Sequence, residues 1–263
     1  MFNIIRSDLY RVAKSKSMIA YYAVILILFG ISVIGKVCGG LQLNTTSIPM
    51  IDVSSMIDLG QLSSNLTFYY LFLIPVVNFI IADFREGTIK NTISSAISKK
   101  LYFITKFVTT VGYTIVSYTV CFYLYYAINR MVNGDEYTST LSAFSKGFFR
   151  QLPLMICISC VFCFIAFLVR KMGVFNSLTM LFPFATTLIL SIMFGFNEGA
   201  ISAGEKGFEL VEKLSQYEIS SMMFKLVLDY TDDYLRNTYI ICGVLIVLSF
   251  VGGYYLFMNR ELD

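Results

Sequence analysis

The chain has 263 residues, 57% of them hydrophobic and only 14% charged, with a formal net charge of +3. A soluble domain carries about 25% charged residues, so this composition leaves too little polar surface to cover a water-soluble globule. Its apolar runs are continuous rather than alternating in segments of about 10 residues, which excludes a transmembrane barrel and leaves an all-α integral membrane protein.

Residues 2–16 predict an amphipathic helix. Phe2, Ile5, Leu9, Val12 and Ala13 fall near one helical face, whereas Arg6, Arg11, Lys14 and Lys16 project elsewhere. That is the pattern of a helix lying in the headgroup plane. Residues 17–35 form a first span of about 28 Å, close to the hydrocarbon thickness. They are read as uncleaved, because the run is long for a signal peptide and no small-x-small site follows it.

Residues 36–65 are a polar loop. The second span, 66–82, holds Pro75 and Asn78. Residues 83–100, DFREGTIKNTISSAISKK, form a polar elbow, and the third span, 101–128, carries Tyr113, Tyr118, Tyr123, Tyr125 and Tyr126. A polar loop is expected over 129–151. The fourth span, 152–169, then has Pro153 in its first turn, where proline is tolerated. Arg170-Lys171-Met172-Gly173 is a tight basic turn into the fifth span, 174–196, with Pro183 near its middle. The acidic loop 197–237 keeps a helical rhythm in Val211, Leu214, Met222, Leu226 and Tyr230, which predicts a surface helix. The sixth span is 238–258. The six spans form a single domain, residues 1–263.

Cys157-x-x-Cys160-x-x-Cys163 invites a metal reading, but the chain has no His and no second Cys pair is nearby. These residues are read as packing groups on a helix. The basic residues set the topology. With six spans, residues 1–16, 83–106, 170–173 and 259–263 share a side, and they hold 12 of the 20 Lys and Arg but only 5 of the 17 acids. The positive-inside rule puts that side, with both termini, in the cytoplasm. The loops 36–65, 129–151 and 197–237 are extracellular.

Within the elbow, Asp83 and Arg85 mark the membrane exit. Gly87 permits the backbone to turn. Residues 88–98 read as a short helix whose Ile89, Ile93, Ala96 and Ile97 share one face. Lys99, Lys100 and Lys106 mark re-entry. So short a helix is marginal alone in water and needs a surface on one side, which frees the other face for a partner.

The sequence Glu86-Gly87-Thr88-Ile89-Lys90-Asn91, then Ser98-Lys99 and Lys106, follows the basic N-terminal helix Arg6–Lys16 in a six-span chain. In these features the chain resembles the permease subunits of type-2 ABC transporters. The likeness is in particular to the small six-span permeases of Gram-positive bacteria that serve peptide or bacteriocin (lantibiotic) export and self-immunity. Where that family often has Pro and Arg before span three, this chain has Ala96, Ile97, Ser98, Lys99 and Lys100. The resemblance implies that the elbow is a cytoplasmic coupling helix. Glu86, Gly87, Thr88, Ile89, Lys90, Asn91, Ile93 and Ser98 would dock on a separate ABC ATPase subunit, present in two copies. It also implies a second permease chain, identical or related, a bacterial cell membrane, and export of peptides or other amphipathic compounds.

No G-x-x-x-x-G-K-[ST] occurs, so ATP and Mg belong to the ATPase partner. This chain is expected to hold no cofactor, no metal, no catalytic residue and no nucleic acid; its other contact is membrane lipid. An ion-coupled carrier would place charge near the midplane, whereas the polar groups near span centres here are neutral: Asn78, Thr114, Ser117, Thr186, Thr187 and Ser191. Asn78, Thr186 and Thr187 are the candidate lining of a translocation path, against the plainer reading of helix–helix hydrogen bonds. A different class of function is a non-transporting membrane sensor or scaffold that recognises an extracellular ligand through 197–237.

Overall fold

The computed structural model of the protein describes residues 2–37, 73–94, 97–133, 141–179 and 231–259, with Met222 and Leu226. Every regular element among the described residues is a helix. α1 (Phe2–Lys14) and α2 (Lys16–Val37) are separated only by Ser15. α3 (Leu73–Val76) passes through a π-helical turn (Val77–Ile81) into α4 (Ala82–Glu86), and α5 (Thr88–Ser94) follows Gly87. α6 (Lys99–Asn133), α7 (Leu141–Val169), α8 (residues 172–179) and α9 (Asp232–Asn259) complete the described chain.

α6, α7 and α9 are long and apolar enough to cross a membrane. Their outward faces fit that setting. Ile240, Val244, Val247, Val251 and Tyr255 recur at helical spacing along α9, and each is more than half exposed. An apolar stripe of that length is suited to lipid rather than to water.

The interior is aromatic. Phe103 of α6 is fully buried among Phe107, Phe167, Phe250, Tyr254 and Phe257, with ring centroids 4.7–5.9 Å away. Glycine lets α9 come this close. A Cβ on Gly253 would lie 3.3 Å from Phe103 Cζ, and one on Gly252 would lie 3.1 Å from Phe164 Cε2. Small residues at helix contacts serve this purpose in membranes. Cys157, Cys160 and Cys163 are buried in α7, and Cys242 is buried in α9.

Two expected boundaries move. The loop 129–151 is largely helical, because α6 runs on to Asn133 and α7 begins at Leu141. The cause is aromatic packing that a count of polar residues does not detect. Phe144 sits 4.3 Å from the Tyr126 ring, Phe148 stacks on Tyr118 at 5.5 Å, and the Tyr123 hydroxyl is 3.1 Å from Ser145 Oγ. Pro153 therefore lies inside α7, not in its first turn, where the membrane setting tolerates it. Gly173 already lies within α8, and the turn after α7 pivots on Arg170 at φ 60°. This left-handed residue costs about 1–2 kcal/mol, and the Lys171 N–H closes the reversal on the Val169 carbonyl at 2.7 Å. Residues 38–72, Pro183, Thr186, Thr187, Ser191 and all of the expected surface helix except Met222 and Leu226 lie outside the described residues; those two are buried.

Candidate functional site

The elbow is built around a glycine. α4 ends where Gly87 takes φ 64°, ψ 12°, the left-handed stop that glycine adopts without steric cost. α5 starts at the next residue and is described as far as Ser94, short of the expected end at Ser98. Ile89 is buried and Ile93 half-buried beneath it, whereas Glu86 and Gly87 are exposed at its start. Glu86 pairs with Arg85 at 3.2 Å on the surface, a contact worth little by itself. Thr88 anchors the turn by donating to the Asp83 carbonyl at 3.4 Å. Ser98 begins the next helix, its hydroxyl accepting the Leu101 N–H at 3.3 Å, as an N-cap residue does. The side chains of Lys90 and Asn91 lie outside the described residues.

Two neighbouring regions hold the elbow. On one side Phe84 meets Phe167 edge to face at 6.1 Å, and the Arg170 guanidinium lies 5.2 Å over the Phe84 ring. Arg85 reaches the Met172 sulfur at 3.9 Å. The α7–α8 turn therefore abuts the elbow. On the other side is α1, joined to the bundle through a cluster of buried charge.

That cluster has Lys106 of α6 at its centre. Its Nζ lies 2.7 Å from Asp8 Oδ1 and 2.6 Å from Asp83 Oδ2. Arg11 donates to Asp83 Oδ1, lies 3.6 Å from Asp8 Oδ1 and donates to the Asn78 carbonyl at 3.1 Å. The Tyr102 hydroxyl donates to Asp83 Oδ2 at 2.7 Å. Two carboxylates thus face two cations, and the group is neutral as a whole. Only Arg11 has appreciable exposure. Isolated charges would not remain so far from water; pairing and hydrogen bonds make their burial tolerable.

The two acids are not equivalent. Burial pushes Asp83 up, but Lys106 and then Arg11 outweigh it and hold the carboxyl below the usual carboxylate range. Both Asp83 oxygens accept hydrogen bonds. For Asp8 burial dominates, and its pKa is raised despite Lys106. The difference is geometric, since Asp8 Oδ2 is buried without a hydrogen-bond partner.

The π-helical turn contributes as well. The Ala82 N–H bonds to the Val77 carbonyl, five residues back. Such turns recur at functional sites, and this one precedes Asp83 directly. Asn78, within it, is half-buried, with Nδ2 3.3 Å from Met18 Sδ and Oδ1 3.4 Å from Ser15 Oγ. These contacts tie Asn78 to the α1–α2 junction. Thr114 donates to the Thr110 carbonyl at 2.7 Å, and Ser117 meets the Tyr22 hydroxyl at 2.9 Å.

Asp83 and Lys106, read from sequence as exit and re-entry charges, are both buried and paired with each other. Asp8, Arg11 and Tyr102 went unrecognised. The available signal was the presence of Asp8 and Arg11 one turn apart on a helix otherwise read by its apolar residues. α1 meets the bundle through a partly polar face. Asp8 and Val12 are buried, with Ile5 and Ser15 half-buried beside them, while Leu9 and Ala13 are exposed. No protein-family model matches the chain, and no curated protein matches it.

Proposed function

We propose that the chain is the membrane-spanning permease subunit of an ATP-driven exporter of the type-2 ABC kind, moving peptides or other amphipathic compounds out of the cytoplasm or membrane. In this reading six spans cross a bacterial cell membrane with both termini inside. The elbow 83–100 is the coupling segment, through which two copies of a separate ATPase act on two paired permease chains. Asn78, Thr186 and Thr187 are its path residues. The chain itself performs no catalysis, and ATP and Mg are bound by the ATPase.

One observation carries the reading. The elbow has an exposed, glycine-hinged apex on a deeply anchored base. Glu86 and Gly87 face outward, while Asp83 and Phe84, a few residues earlier, are fixed to α1, α6, α7 and the α7–α8 turn. A force applied at the apex is therefore delivered into the spans rather than absorbed by a loose loop. The end of α9 belongs to the same region, with Phe257 stacked on Tyr102 at 5.8 Å. α1, the elbow, the α7–α8 turn and the end of α9 thus converge, which supports the reading that they share one side of the membrane.

The test is co-purification of the full chain with the ATPase encoded beside it, together with ATPase stimulation. Gly87→Pro places a residue fixed near φ −65° where φ 64° is needed, and Glu86→Lys reverses an apex charge. Both substitutions are expected to weaken assembly or coupling. Normal assembly and coupling in both would remove the elbow from this role. A neighbouring kinase or regulator with no ATPase would favour the sensor reading.

A further inference from the structure

We propose that α1 is a detachable strap, and that its docking through the buried charge cluster holds the elbow in place. The inference rests on the fold and the cluster, and it stands whether or not the exporter reading does.

The cluster divides cleanly in two. Asp83, Lys106 and Tyr102 belong to the bundle and are joined to one another at 2.6 and 2.7 Å. Asp8 and Arg11 belong to α1 and lie 3.6 Å apart, one helical turn from each other. Each half carries one positive and one negative charge. When α1 lifts away, neither half is left with an unbalanced charge, and every ion retains an opposite partner. Only this symmetry makes a buried ionic contact separable, since removing a single partner strands a charge in a dry site.

The rest of α1 fits the same role. Ser15 breaks the helix between α1 and α2 and provides the pivot; the Ser15 N–H returns to the Val12 carbonyl at 3.1 Å. Among the described side chains of α1, Val12 is the one fully buried apolar group and Ile5 is half-buried, while Leu9 and Tyr10 are exposed. Its polar hold on the bundle includes the two ionic contacts and the Arg11 bond to the Asn78 carbonyl. Two of these three contacts land on the π-helical turn and Asp83, the residues that lead into Gly87. Release of α1 removes the Arg11 donor from Asp83 and from Asn78 together, loosening the base of the elbow while Lys106 and Tyr102 still hold it to α6.

Amide hydrogen exchange on the full chain in lipid nanodiscs tests this. In the wild type, α1 is expected to exchange through its own local opening, with protection well below that of α6 and α7, as a separable unit does. The Asp8→Asn/Arg11→Gln variant keeps the site neutral and removes only the strap's half. Its α1 amides should exchange about tenfold to a hundredfold faster, as expected for lost charge-assisted hydrogen bonds. Amides of α4 and α5 should follow, and those of α7 should not change. The proposal is overturned if α1 in the variant stays as protected as in the wild type, if α6 and α7 loosen equally with it, or if α5 does not respond. Should the variant fail to fold, the wild-type measurement decides: α1 opening only together with α6 and α7 overturns the proposal.

Discussion

Removing Lys106 is the sharpest test of the charge cluster. Its ammonium lies 2.7 and 2.6 Å from two carboxylates. At an effective dielectric of about 20, each contact is worth about 6 kcal/mol before desolvation. Most of that is offset by the cost of drying the ions, and truncating one partner of such a buried group destabilises by about 3–5 kcal/mol. Lys106→Met leaves two buried carboxylates with Arg11 alone, and the cluster changes from neutral to −1. For a chain of this size the loss corresponds to a fall in apparent Tm of about 10 °C. A thiol-reactive dye in detergent can follow unfolding, because Cys157, Cys160, Cys163 and Cys242 are buried until the bundle opens. The decisive variant is the double substitution Lys106→Met/Asp83→Asn. It leaves Asp8 beside Arg11 and restores neutrality. It should be less destabilised than the sum of the single variants, by about 1–3 kcal/mol. Additivity to within about 0.5 kcal/mol would refute the cluster as a coupled unit.

Further predictions concern the same end of the molecule. Asp83 sits below the usual carboxylate range, so its contribution is present above about pH 3.9 and is lost as pH falls through its lower folded value. Asp8 is raised, so its contribution is present below that pH and is lost as pH rises through its folded value. Thermal scans from pH 3 to 7 should find that Asp83→Asn removes the acid-side loss of stability and Asp8→Asn the loss on the alkaline side of pH 3.9. Gly87→Ala meets no atom within 4 Å but must adopt φ 64°. It should cost about 1–2 kcal/mol, read as faster amide exchange confined to 84–94. Phe103→Ala empties the centre of the aromatic core and should lower stability by about 3–5 kcal/mol in the same dye assay.

Sequence gave direct access to whatever depends on local chemistry. Composition alone points to a membrane for this chain, because 14% charged residues leave little polar surface to cover a globule, and three helices long and apolar enough to span one agree with it. The glycine turn at Gly87 and the helix after it were legible, because conformational freedom and apolar spacing are properties of neighbouring residues. So was the helical packing role of the Cys157–Cys163 run. Helix ends were less legible. Polar residues at 141–151 resemble a loop until Phe144 and Phe148 meet Tyr126 and Tyr118 across a gap in sequence.

The charge cluster lay beyond reach of sequence for a physical reason. Asp8, Asp83 and Lys106 are each separated from the others by more than 20 residues. Each alone at a membrane boundary is what topology requires of a charge there. Whether a charge faces water or an opposite charge is a long-range fact about how helices pack, and it decides both burial and protonation. Spacing fixed that the chain holds helices long and apolar enough to cross a membrane and that it turns at Gly87. Only the tertiary structure determined that Lys106 stands between two carboxylates from different helices, and so that α1 and the elbow are held by one set of contacts.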